Sequence, residues 1–273
     1  MVRSLPIVAL ALFSATASLA CVGSSDKAAD NVLPDTSDGA AAITHRLTDA
    51  PLECRCGMSQ FLTLPHANIT PPEEAKHCAR YKLIDARGTA EPQGVSTMFY
   101  PMIQNILANM TGGVSLPVEY PAGPDQNTTS GEDFVIDNIT EGLLSCPDQK
   151  YALFGYSQGA TLMLNVLAEL SPSALRSVTS VILVGNPYRI PGKMSNVDGA
   201  AQPDKRVSVG MFAEPALASN STIPQLSTEV DRSGKVLDYC LEIAAGHLSY
   251  GLVDTVQETA FGHVVKQFRS VLN

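Results

Sequence analysis

The pentapeptide Gly155-Tyr156-Ser157-Gln158-Gly159 decides the fold of this chain. An apolar run at residues 151–154 precedes it and a helical pattern at residues 160–170 follows it, so a strand, a sharp turn and a helix are expected in that order. In this context a G-x-S-x-G pentapeptide is typical of a nucleophile elbow, a strained turn that exposes the serine hydroxyl. The pentapeptide also arises by chance as a glycine-rich turn with an inert serine, so the flanking strand and helix carry the interpretation.

The elbow also predicts an oxyanion hole beside Ser157. The backbone N–H of Gln158 and the N-terminus of the following helix would face an oxyanion formed there. A second donor should come from the loop after the first strand, because that loop and the elbow open on the same edge of the sheet. Thr89 is the candidate, with an ordinary turn residue as the alternative, whereas Arg87 and Glu91 are expected to tie the loop down.

Ser157 needs a base, because a serine hydroxyl is a poor nucleophile until its proton is removed. Four of the five histidines lie in the N-terminal leader, before the first predicted strand or inside the last predicted helix: His45, His66, His77 and His263. His247 lies in a glycine-bounded turn, residues 246–251, after the strand predicted at residues 235–239. A loop off the end of the sheet would carry it to the elbow, so His247 is the predicted base.

Short apolar runs alternate with helical patterns along most of the chain. Such runs are typical of strands buried on both faces, so they predict an α/β fold with a parallel sheet covered by helices. The predicted strands are 81–86, 114–120, 150–154, 181–184, 206–212 and 235–239. The 3.6-residue spacing of apolar side chains predicts helices at residues 99–110, 130–144, 160–170 and 253–272. Residues 73–273 are thus expected to form one domain.

The first 72 residues differ in composition from the rest. Residues 1–20 combine Arg3, an apolar run and a small-residue cleavage pattern, which predicts a secretory signal peptide. Lipidation at Cys21, as in a bacterial lipoprotein, is the alternative. Residues 21–72 have little periodicity, so we expect a leader without fixed structure except around Cys54 and Cys56.

The charge of the chain excludes some partners. With 18 basic and 27 acidic residues the net charge is −9, and it becomes −10 once Arg3 leaves with the signal. Nucleic acid and anionic membrane surfaces are therefore not expected as partners.

Sequons and cysteines both fit an extracellular glycoprotein. The N-x-S/T sequons are at Asn68, Asn109, Asn127, Asn138 and Asn220. The six cysteines, which should form disulfides in an oxidising compartment, are Cys21, Cys54, Cys56, Cys78, Cys146 and Cys240. No metal site is expected, because the cysteines lack the spacing of zinc ligands.

Four spaced motifs together resemble the cutinase family of secreted fungal and bacterial serine esterases. They occupy residues 86–91, 146–148, 155–160 and 247–251, and the resemblance extends over residues 78–273. It implies a small α/β-hydrolase, a three-layer sandwich with a central parallel sheet and no lid domain. It also implies hydrolysis of esters of cutin, lipids or acetylated polysaccharide without a metal or organic cofactor, and we expect a monomer that does not insert into membranes.

The resemblance assigns roles to individual residues. Ser157 matches the nucleophile and His247 the base, while Thr89 and Gln158 match the two oxyanion positions. Cys78 and Cys146 match the family's first disulfide. The ends of two neighbouring parallel strands would also bring these two cysteines together.

One departure from the family concerns the third member of the triad. The family carries a Gly-Asp-x-x-Cys segment that supplies both an acid and a second disulfide partner, and here Cys240 runs through six residues straight to His247. Asp238, at the end of the strand before His247, is the candidate acid, with Glu242 and Asp231 as weaker substitutes. The alternatives are a chain with no competent acid, which would bind cell-wall or lipid surfaces, and a segment lost at an exon boundary. The insertion at residues 192–230 has no predicted place in the fold.

Overall fold

The structure, a computed structural model, describes residues 55–56, 78–241 and 246–272. The predicted signal peptide and the rest of the leader lie outside the described residues. Eight strands are described: β1 Arg55–Cys56, β2 Tyr81–Ala86, β3 Gly113–Pro117, β4 Lys150–Tyr156, β5 Val178–Val184, β6 Asn196–Val197, β7 Val209–Gly210 and β8 Val236–Tyr239. The helices are α1 Tyr100–Asn109, α2 Thr129–Ser145, α3 Gln158–Glu169, α4 Pro172–Ser177, α5 Ala213–Ala218, α6 Thr228–Arg232 and α7 Asp254–Val271, with short 3₁₀ turns at Gly246–Leu248 and Tyr250–Leu252.

Six strands form one sheet in the order β3-β2-β4-β5-β8-β6, and every pairing in it is parallel. Strand β5 explains why the centre is stable: its sequence is VTSVILV, and all seven residues are buried. β-Branched and aliphatic residues of this kind suit a strand that is covered on both faces. The predicted parallel sheet is confirmed.

Two hydrophobic cores, one on each face of the sheet, pack the helices against it. One packs β-strand side chains such as Leu153 and Leu183 against helices α2, α3 and α4, with Val135 and Leu162 fully buried. The other lies on the opposite face of the sheet, under α1 and α7. The chain is therefore a three-layer sandwich, as predicted. Within the described ranges, no helix combines the length and the apolar character needed to cross a membrane.

The structure corrects two sequence predictions about elements. Residues 206–212 do not form a strand of the main sheet, because only Val209–Gly210 is extended and it pairs in parallel with β1. Helix α2 begins before Ser130, and the apolar Leu144 near its end is 81% exposed rather than part of the core. The alternating pattern of residues 206–212 could not reveal that their partner is a two-residue strand from the leader.

The predicted disulfide between Cys78 and Cys146 is confirmed. Their Cα atoms lie 5.6 Å apart, within the range that a disulfide spans. Cys78 lies just before β2 and Cys146 just before β4, and these two strands pair directly. The bond therefore ties together the amino ends of two central strands, opposite the edge that carries the elbow.

Candidate active site

The elbow serine occupies a strained turn between β4 and α3. Ser157 has φ 53°, a backbone conformation that costs a non-glycine residue about 1–3 kcal/mol. The flanking glycines are required by close approach: a Cβ on Gly159 would overlap the carbonyl oxygen of Ala86, and one on Gly155 would lie 2.6 Å from the carbonyl oxygen of Gly159. The sequence thus folds sharply here because glycine lets β2, β4 and α3 come together.

The structure brings His247 to the elbow. Its Nε2 lies 3.1 Å from Ser157 Oγ, within hydrogen-bonding distance. The ring lies in the 3₁₀ turn Gly246–Leu248 and is only 9% exposed. By contrast, His263 lies on α7 with Nε2 3.1 Å from the carbonyl oxygen of Lys235, so it acts as a packing residue.

Packing orients the His247 ring. The Tyr156 ring lies with its centroid 5.2 Å from the imidazole centroid at 38°. On the other side, Gly185 adopts φ 62°, and a Cβ there would lie 2.6 Å from His247 Nδ1. Sequence analysis did not identify Gly185, although a glycine directly after the apolar end of a strand was the available signal.

No carboxylate meets the other nitrogen of this ring among the described residues. His247 Nδ1 is buried and has no hydrogen-bond partner there. Burial lowers the pKa of His247 from 6.5 to about 4, because the imidazolium would lose its solvent there. The neutral imidazole, which is the form that accepts a proton, is therefore favoured down to acidic pH.

Asp238, the candidate acid, does not reach His247. Its Oδ2 accepts a hydrogen bond of 2.8 Å from Asn186 Nδ2, and its Oδ1 lies 3.0 Å from Arg189 Nη1. The guanidinium of Arg189 is fully buried, and a buried charge without a counter-charge is costly. The carboxylate of Asp238 therefore neutralises Arg189 and does not contact His247, which corrects the sequence-based expectation.

Of the two weaker substitutes, Asp231 has other partners. Asp231 Oδ1 accepts hydrogen bonds from the backbone N–H of Ser195 (3.0 Å) and from its hydroxyl (2.8 Å), so Asp231 holds the 192–230 insertion. Glu242 lies outside the described residues.

The insertion is tied to the sheet by a buried ionic network that the sequence did not suggest. Arg189 Nη2 lies 2.7 Å from Asp204 Oδ2, and Arg206 Nε lies 2.7 Å from Asp204 Oδ1. Arg206 Nη2 also donates to the carbonyl oxygen of Cys240 at 2.7 Å. These contacts fix the end of β8, from which the chain continues to His247.

Thr89 and Gln158 come together beside the elbow. Gln126 Nε2 donates to Thr89 Oγ1 at 2.9 Å, and that hydroxyl lies 3.5 Å from Gln158 Oε1. Gln158 Nε2 donates in turn to the carbonyl oxygen of Gly123 at 3.0 Å. The loop before α2 therefore braces both proposed oxyanion residues, a role that no motif in the sequence indicated.

Arg87 and Glu91 hold the Thr89 loop through hydrogen bonds, as predicted. Arg87 Nε donates to the carbonyl oxygen of Glu91 at 2.8 Å. The Glu91 carboxylate accepts from the backbone N–H of Gly88 at 2.7 Å and from the hydroxyl of Thr97 at 2.8 Å. These hydrogen bonds hold the loop that carries Thr89.

The low pKa of His247 gives a first prediction. The base accepts a proton only when it is neutral, so kcat/KM should fall as the pH drops through about 4 rather than through 6.5. The test is the pH profile of kcat/KM for an ester that does not itself ionise. A half-point near 6.5 or above would contradict the prediction and would indicate a carboxylate on Nδ1.

Cys240 takes part in a disulfide bond. Cys78 and Cys146 bond each other, so neither of them is its partner.

A second prediction concerns that partner. Peptide mapping without reduction should join Cys240 to the peptide that contains Cys54 and Cys56. Strand β1 pairs with β7, and Arg206, just before β7, donates to the Cys240 carbonyl, so the two parts of the chain meet. A Cys240 that alkylates fully without reduction, or that is joined to another cysteine, would refute it.

Known proteins resemble this chain in both sequence and fold. The sequence model of the cutinase family matches residues 77–267. A cutinase of Hypocrea jecorina is 32% identical over 138 residues, and the match covers 45% of this chain and 52% of that protein, so the chain spans about half of this relative. A solved cutinase-like protein from Cryptococcus sp. is 32% identical with a TM-score of 0.61, covering 70% of this chain and 96% of that chain.

A more distant solved structure, an acetylxylan esterase, shares the fold at 22% identity with a TM-score of 0.55, covering 72% of this chain and all of that chain. In the described residues no three His, Cys, Asp or Glu side chains cluster closely enough to hold a metal ion.

The family match covers well over half of the sequence and includes the elbow, the Thr89 loop and the histidine turn. The chain belongs to the cutinase family.

Proposed function

We propose that this protein is a secreted carboxylic ester hydrolase of cutinase type that works through an acyl-enzyme on Ser157. The observation that carries the proposal is the 3.1 Å contact between Ser157 Oγ and His247 Nε2 at a strained elbow. A nucleophile and a base within hydrogen-bonding distance are the minimum that nucleophilic acyl transfer requires.

The proposed reaction proceeds in two halves. Ser157 Oγ attacks the acyl carbon while His247 Nε2 takes the hydroxyl proton, and the tetrahedral intermediate then collapses with loss of the alcohol, which receives that proton. Water next attacks the acyl-enzyme and gives its proton to His247. The carboxylic acid leaves, and the proton returns to Ser157 Oγ.

In both halves negative charge develops on the acyl oxygen. The backbone N–H of Gln158, at the first turn of α3, is free of an intrahelical acceptor by its position and is the proposed first donor. Thr89, held by Gln126, is the proposed second donor. Removing one such donor in a related chemistry costs about 10²–10³ in kcat.

The rate should be lower than that of a complete triad. A carboxylate on the histidine fixes its tautomer and stabilises its charged form, and its loss reduces kcat by about 10⁴. Among the described residues, Tyr156 and Gly185 rather than a carboxylate orient the His247 ring. We therefore propose a slow Ser-His esterase, acting as an extracellular monomer on esters of cutin or lipid. Acetylated polysaccharide is the alternative substrate.

A second candidate is a catalytically impaired family member that binds cell-wall or lipid surfaces. The buried Nδ1 of His247, which has no partner in the described part of the chain, favours it.

Turnover of p-nitrophenyl butyrate separates the two candidates. The proposed esterase should hydrolyse it above the rate of a Ser157→Ala control, whereas equal rates for the two proteins would overturn the proposal. Activity that declines steeply from butyrate to acetate esters would place the substrate among acyl chains longer than acetyl.

A further inference from the structure

We propose that Asn127 carries an N-linked glycan at the rim of the active site, and that this glycan slows hydrolysis of polymeric esters while leaving small soluble esters unaffected. The inference rests on the proposed esterase function for its kinetic consequence, but occupancy of Asn127 is independent of that function.

The position of Asn127 follows from contacts of its neighbours. Gln126 donates to Thr89 Oγ1 at 2.9 Å, and the carbonyl oxygen of Gly123, in the same loop, accepts from Gln158 Nε2 at 3.0 Å. Both contacted residues flank Ser157 on the oxyanion side. Asn127 itself is exposed and lies one residue beyond Gln126. A group attached to it would stand at the edge of the site.

The fold also accommodates a substituent on Asn127 Nδ2 without the loss of a described hydrogen bond. Its Oδ1 accepts a hydrogen bond from the backbone N–H of Thr129 at 3.1 Å, while its Nδ2 has no acceptor among the described residues. The sequon side chains on helices differ: Asn109 Nδ2 donates to the carbonyl oxygen of Asn105 at 2.8 Å, and Asn138 Nδ2 to that of Phe134 at 2.9 Å.

The chemistry is a group transfer in the secretory pathway. Asn127 Nδ2 bonds to the reducing-end anomeric carbon of an oligosaccharide, loses one proton, and displaces the lipid-linked diphosphate that carried the sugar. No oxidant or reductant is involved. The product is a bulky, hydrated group, which hinders an extended insoluble surface from approaching Ser157 more than it hinders a small ester.

The test uses the full chain secreted from a eukaryotic host. Mass spectrometry of glycopeptides should find a glycan on Asn127. Asn127→Gln, and independently Thr129→Ala, which removes the same sequon, should raise the ratio of the polycaprolactone rate to the p-nitrophenyl butyrate rate several-fold. Asn109→Gln is the matched control, because α1 ends at the opposite edge of the sheet, and it should leave the ratio unchanged.

Two results would overturn the inference. One is an Asn127 peptide found entirely unmodified in secreted protein. The other is an occupied Asn127 whose removal by both variants leaves the ratio unchanged. A wild-type protein that hydrolyses neither ester, yet carries the Asn127 glycan, would refute the esterase function and the proposed kinetic effect but confirm the modification.

Discussion

Ser157→Ala is expected to abolish ester hydrolysis, with a fall in kcat on the order of 10⁶, while the protein keeps its fold. The hydroxyl is the attacking group, and within the described ranges its one hydrogen-bond partner is His247. The alanine keeps the Cβ that the strained turn already accommodates, so no new contact arises. The measurement is kcat with p-nitrophenyl butyrate, together with the thermal midpoint of unfolding.

The matched control is Ser173→Ala, an exposed serine on α4 that lies away from the elbow. It should leave both kcat and the midpoint unchanged. If Ser157→Ala loses only about tenfold, far from the scale expected for a catalytic nucleophile, another residue is the nucleophile.

Asp238→Asn is expected to destabilise the fold by about 3 kcal/mol, because it removes one of the two carboxylates that neutralise the buried Arg189. Asp204 remains, so the loss should be at the low end for breaking a buried ion pair. Denaturant unfolding of wild type and variant measures the difference. At temperatures where the variant is folded, its kcat should equal that of wild type, since Asp238 does not contact His247.

The opposite pattern would contradict this account. A fall in kcat of about 10⁴ with unchanged stability is the signature of losing a triad carboxylate. Such a result would assign Asp238 as the acid. Replacing Asp231, whose carboxylate holds Ser195, provides the matched control, because it lies in the same region without pairing Arg189.

The sequence predicted the central fold well where the local pattern and the tertiary environment agree. The apolar run before the elbow becomes β4, buried on both faces, and Gly155 and Gly159 serve the close contacts that the motif implied. Phe99 to Met110 was predicted from its 3.6-residue spacing, and Met102, Ile103 and Ile106 are indeed buried in α1.

The sequence did not predict the partners of side chains and strands that contact residues far away in the chain. The run around Val209 resembled a sheet strand, but its partner is a two-residue strand from the leader. Asp238 sits at the expected end of β8, yet the direction of its side chain is decided by Arg189, which lies 49 residues away in sequence and gives no local signal. The brace from Gln126 to Thr89 depends likewise on loop geometry rather than on a motif.

The most direct measurement of the central claim is covalent labelling with an alkyl phosphonate ester, which phosphonylates an activated serine. The account predicts one phosphonyl group per chain, located by peptide mass spectrometry on Ser157. It also predicts no label on Ser157→Ala and much slower labelling below the pKa of His247, at about pH 4. Labelling of a different residue, or none on Ser157 in protein that hydrolyses p-nitrophenyl butyrate, would contradict it.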